Sequence, residues 1–295
     1  MTKKSKAAKS QKSASKKQGA EKKPSLTFSM VANSQGTVSQ RVDALTEKPL
    51  AAVKSDKNLQ SVLKVLRNEK EPLKVRLAAL QTLQAASFSV DVFEQSRGDY
   101  IATLREIVDD PDPELRQRVL GILAREKDGY AQQKLIEGLQ HPEKQLVPPE
   151  KALQLLSYDV HANSYAVARE VVSKPPNEVA RREALRLLAA DASSAPLFEK
   201  ILRDKDELAE NRQIAASALH ALKPEKLQEN AREILLDKTE YKEIKATSLT
   251  ALAQFGDEDE IRKDKALLKS VDRMSEEGTT KVKQTARRFL SKYER

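Results

Sequence analysis

The chain has 295 residues, 39% of them hydrophobic and 4% aromatic, with no Trp, no Cys and only 8 Gly. That composition supports a core of aliphatic side chains, excludes disulfides, thiol nucleophiles and thiolate metal sites, and argues against a Gly-rich nucleotide-binding fold. The formal net charge of +9 is uneven: residues 1–23 hold nine Lys and one Glu, a net of +8, which leaves +1 for everything after them.

Residues 1–23, "MTKKSKAAKSQKSASKKQGAEKK", are Lys, Ser, Ala and Gln with no apolar face. Such a segment cannot bury enough surface to offset the entropy of ordering, so a disordered tail is expected. Its lysines would suit the phosphates of a nucleic acid or another anionic surface. It lacks the Arg forks and aromatic rings that read or stack bases. No apolar stretch follows the N-terminus, so no secretory leader is expected. No window approaches the roughly 18 apolar residues of a membrane span. The expected compartment is the cytoplasm.

Residues 24–57 read as a linker with a short helix around Val38 to Leu45, which Pro49 limits. From 58 to 295 the helical period dominates and one nine-residue phrase returns: "VRLAALQTL", "LRQRVLGIL", "PPEKALQLL", "ARREALRLL", "NRQIAASAL", "IKATSLTAL" and "VKQTARRFL". Its last leucines are Leu83, Leu123, Leu156, Leu188, Leu219, Leu252 and Leu290, at intervals of 40, 33, 32, 31, 33 and 38. Apolar and small residues three and four places earlier, with Arg287 the exception in the last copy, complete a stripe on one helix face. A second helix and a short turn precede each copy, as in "YIATLREIVDD" before "PDPELRQR". Stacked helix pairs at this period are the signature of an all-α solenoid of about seven units.

The stretch "DDPDPELRQRVLGIL", Asp109 to Leu123, resembles the HEAT repeat, in which a D-P turn leads into an Ala- and Leu-rich second helix. The resemblance covers about seven units and departs most in the third, where Pro149 stands at the basic position. It implies a right-handed α-solenoid whose second helices line a concave face. It implies no single activity: HEAT-like arrays include scaffolds, transport factors, phosphatase subunits, bilin lyases and some DNA glycosylases.

The most regular polar feature is a basic residue seven places before six of the seven anchor leucines: Arg76, Arg116, Arg181, Arg212, Lys245 and Lys283. An Arg fork pairs well with a fixed carboxylate, so a structural ladder tied to turn acids such as Glu71 and Asp112 is expected. Residues one and five places later would then face the groove: Gln81, Gln117, Arg182, Arg186, Gln213, Thr250, Gln284 and Arg288. Their mixed polarity suits a peptide better than an apolar ligand.

No catalytic arrangement is legible. The acidic groups at Asp109, Asp110, Asp112 and at Asp257 to Glu260 precede helices and read as caps. His141, His161 and His220 are isolated, without metal-ligand spacing. A glycosylase would be expected to offer rings to an extruded base, and rings are scarce. These features lead to the expectation of a non-enzymatic scaffold that holds a protein or peptide partner on its concave face, with no cofactor and no metal. The alternative is a nucleic-acid-associated protein using the tail, and behind it a HEAT-like lyase.

Overall fold

The computed structural model describes residues 26–160 and 163–293, so the lysine tail and His161 lie outside the described residues. Among the described residues every regular element is helical and there is no strand. The chain divides into two compact units, one up to Tyr100 and one from Ile101.

The first unit holds α1 (Phe28–Ala32), α2 (Val38–Thr46), a 3-10 turn at Pro49–Val53, α3 (Asp56–Arg67), α4 (Leu73–Ser87) and the start of α5 (Val90–Glu106). Local chemistry sets these boundaries. Thr37 and Gln40 form a reciprocal capping box at the head of α2, with Thr37 N donating to Gln40 Oε1 at 2.9 Å and Gln40 N to Thr37 Oγ1 at 3.3 Å. Ser55 caps α3, and Pro72 fixes the entry to α4. Helix α1 packs on α3 and α2 on α4, so one pair lies on the next. Residues 28–53 are therefore no simple linker: Val31, Leu45 and Ala52 are fully buried. The recurring phrase hides this pair because Lys48 stands where the anchor leucine would be.

The second unit continues with α6 (Pro113–Arg125), α7 (Gly129–Gln140), α8 (Pro149–Leu156), α9 (Tyr165–Ser173), α10 (Glu178–Leu188), α11 (Ala195–Arg203), α12 (Ala209–Leu222), α13 (Pro224–Leu236), α14 (Lys242–Phe255), α15 (Glu258–Lys263), α16 (Lys265–Glu277) and α17 (Thr280–Tyr293). The second helices of successive pairs pack in order, α8 on α10, α10 on α12, α12 on α14 and α14 on α17. Ala184, Ala215 and Ala216 are fully buried where those helices approach. All seven anchor leucines are buried. One pair cannot cover its own stripe, and stacking supplies the cover.

The irregular intervals have local causes. The 40-residue step contains α5, which is 17 residues long, and the 38-residue step contains the six-residue insertion α15. Where the sequence leads to a single array from 58 to 295, the division between the two units falls inside α5.

Candidate functional site

The four arginines of the ladder are tied to the protein's own backbone, and Arg181 and Arg212 to carboxylates as well. Arg76 Nε donates to Leu66 O at 3.0 Å, Arg181 Nε to Val172 O at 3.3 Å, and Arg212 Nε and Nη2 to Leu202 O at 3.0 and 2.8 Å. Each accepting carbonyl lies in the last turn of the preceding helix, where no intrahelical donor remains. The far side of the fork reaches the next repeat. Arg181 holds Glu207 through two bonds of 2.6 and 2.5 Å, and Arg212 holds Glu240 at 2.8 and 2.6 Å. Each of these glutamates also accepts the next backbone N–H, from Leu208 at 3.0 Å and Tyr241 at 2.9 Å. One rung thus joins a first helix, its own second helix and the following turn.

The first unit has the same device at a residue outside the recurring phrase. Arg41 Nη2 donates to Val31 O at 2.8 Å and pairs with Glu71 at 2.6 Å. Arg116 is anchored differently, to Leu146 O and Asp110 O at 2.6 Å each, while Asp112 caps α6 by accepting Leu115 N at 2.9 Å. Lys245 and Lys283 are half-buried. Burial pushes the Lys245 ammonium below its ordinary range. Burial alone would raise Glu207 and Glu240, but the hydrogen bonds from Arg181 and Asn211, and from Arg212 and Lys205, hold both carboxyls below the usual range.

Of the eight residues expected on the groove, the fold brings three together. Arg182, Arg186 and Gln213 line a cleft of about 630 Å³ over α10, α12 and α14. Gln81 is exposed on α4 in the first unit, Gln117 is exposed on α6, and Gln284 and Arg288 are exposed on α17. Thr250 is half-buried on α14 and its hydroxyl donates to Ala246 O at 2.9 Å.

Sequence reasoning misses the apolar part of this cleft. Val179, Ile214, Tyr241 and Ile244 line it beside the polar residues. Val179 is 44% exposed and Tyr241 47% exposed, while Ile244 is buried. The available signal is the placement of β-branched or aromatic residues in or just before the first two turns of three successive second helices. The Tyr241 ring also lies 5.9 Å from the Arg212 guanidinium, which couples the cleft wall to the ladder. Both arginines of the cleft are answered within it, Arg182 by Glu210 and Arg186 by Glu183, and Glu243 lines it as well. Gln213 Nε2 donates to Thr247 Oγ1 at 2.9 Å.

The second acidic group also acts at a helix start: Asp257 caps α15 by accepting Glu260 N at 3.0 Å. Among the described residues no group of three or more His, Cys, Asp or Glu is placed to hold a metal ion, and no helix is long and apolar enough to cross a membrane.

No family model matches the chain, and no curated protein does. Solved structures do. One is human deoxyhypusine hydroxylase in complex with glycerol, at 17% identity and TM-score 0.37, covering 83% of this chain and 99% of that one. Another is the complex of CpcE and CpcF of phycocyanin lyase from a Nostoc species, at 18% identity and TM-score 0.39, covering 88% of this chain and 98% of that one. The likeness concerns the helical fold. The expectation of a non-enzymatic scaffold is corrected here: both matched structures are named for enzymes, a hydroxylase and a lyase, so a helical-repeat architecture gives no ground for "non-enzymatic".

Proposed function

We propose that this HEAT-like helical-repeat chain serves an enzymatic reaction on proteins by recognising a partner protein at the cleft over α10, α12 and α14. The cleft supports the recognition half of this reading. Like a protein interface, it sets exposed apolar groups beside polar ones. Val179 and Tyr241 stand exposed in its lining, together with the Arg182–Glu210 and Arg186–Glu183 pairs and Glu243. Because both arginines are already answered, an apolar anchor of the partner can enter without leaving either of them unpaired. The enzymatic half is in keeping with the names of the matched structures, one of them a complex of two named components. The cytoplasm is the compartment proposed.

Photo-crosslinking tests the reading. A photoreactive phenylalanine analogue at Tyr241, in the full chain in its own cells, should trap the same protein reproducibly. Val179→Glu in the same chain should abolish the adduct. The trapped protein should differ in intact mass between cells with the wild-type chain and cells with Val179→Glu. An adduct that survives Val179→Glu defeats the recognition half, and an unchanged mass defeats the enzymatic half.

A further inference from the structure

Helix α17 carries five cations, Lys281, Lys283, Arg287, Arg288 and Lys292, and no Asp or Glu between Thr280 and Tyr293. Its apolar stripe of Val282, Ala286, Phe289, Leu290 and Tyr293 is buried. At 100° per residue, Lys281, Arg288 and Lys292 fall together along one edge of the outer surface, with Gln284 beside them, while Lys283 and Arg287 fall along the other. Lys281, Gln284, Arg288 and Lys292 are all exposed.

This edge differs from α10, where Arg182 is answered by Glu210 and Arg186 by Glu183. Arg232 on α13 is answered by Asp264. Among the described residues no carboxylate pairs with Lys281, Arg287 or Arg288. The helix is also held in place. Arg262 Nη1 donates to Tyr293 O at 3.1 Å, and Lys292 Nζ to Ala253 O at 2.6 Å, which leaves two of its three donors.

We propose that the Lys281–Arg288–Lys292 edge of α17 is a docking surface for an acidic segment of a partner protein. The charge pattern selects the partner. Along the helix the edge spans roughly 16 Å, at about 1.5 Å per residue, the length of about five extended residues. Three carboxylates in such a segment match three cations one for one, and the Arg288 fork can donate two parallel bonds to one of them. A nucleic acid fits less well. Duplex DNA presents a charge about every 1.7 Å, far more than this edge answers. The helix's rings, Phe289 and Tyr293, are buried, so none is offered for base stacking.

The probe is a fluorescein-labelled octapeptide of alternating Glu and Ser, titrated into the full chain at about 150 mM salt, where surface charge is screened beyond roughly 8 Å. Lys281→Gln with Arg288→Gln should weaken binding about tenfold. Arg287→Gln, on the other edge, should weaken it less than about threefold. Lys281→Glu alone should act in the same direction as the double change, and thermal melting of each variant should match the wild type, since all these side chains are exposed. A photoreactive version of the peptide should mark residues 280–293. Val179→Glu with Tyr241→Ala should leave peptide binding unchanged, which separates this surface from the cleft. Equal affinity in the wild type and the double variant overturns the proposal. So does labelling confined to residues 1–25, or tighter binding of a dodecamer of deoxythymidylate that the same substitutions remove.

Discussion

Arg212 is a large, fully enclosed side chain whose removal should be costly. It is 2% exposed, and it joins Leu202 O to a glutamate that is itself buried. Removing one partner of a buried pair leaves the other charge uncompensated. Arg212→Ala should therefore lower the unfolding free energy by roughly 3–5 kcal/mol in urea. Arg186→Ala, at a pair within one helix whose arginine is largely exposed, should change it by no more than about 1 kcal/mol. The pH dependence follows from Glu240. Its folded carboxyl lies below the unfolded value of about 4.3, so its contribution is complete above that value and is lost as pH falls through the folded one. Glu240→Gln should cost most stability near pH 7. The gap between variant and wild type should close as pH falls below about 5, by thermal melting across that range. The basic rung was legible because it recurs at a fixed distance from a leucine. Its partners were less so: Glu71 pairs with Arg41, thirty residues upstream, and Arg41 has no leucine seven places on.

Helix ends are set by a few small groups whose role is geometric. Gly256 closes α14, its N–H donating to Leu252 O at 2.9 Å. A Cβ there would lie 2.4 Å from that same backbone oxygen and 2.4 Å from Ile261 Cδ1. The oxygen cannot swing aside as a side chain would, so Gly256→Ala should destabilise by about 1–3 kcal/mol. Gly98 in α5 is the control. Nothing lies within 4 Å of its added Cβ, and Gly98→Ala should stabilise by about 0.5–1 kcal/mol, the ordinary helical gain. The second helices were readable because their leucine stripes repeat. The α1–α2 pair was hidden because α1 spans only five residues, too short to display a helical period. The cleft was read in half. Arg182, Arg186 and Gln213 follow from counting along a helix, but Val179 and Tyr241 matter only because three helices place them side by side.

At the scale of the molecule, the all-helical stack is written into the sequence because each unit repeats the same burial problem and the same solution. The division at Tyr100 is not, since it falls inside a continuous helix whose own sequence carries no proline. Charge was the other readable feature, and it points two ways: nearly all of the excess lies in residues 1–23, while the remainder is close to neutral yet gathers five cations on α17. Neither feature states a function, because the proposed recognition depends on side chains from separate repeats meeting at one surface. The cleft over α10, α12 and α14 is such a meeting. The direct test is the affinity of the full chain for the protein trapped at Tyr241, measured for the wild type and for Val179→Glu with Tyr241→Ala. Both side chains are exposed, so folding should survive, and affinity should fall by more than about tenfold, as for central residues of an interface. Equal affinity in the two proteins would contradict the account.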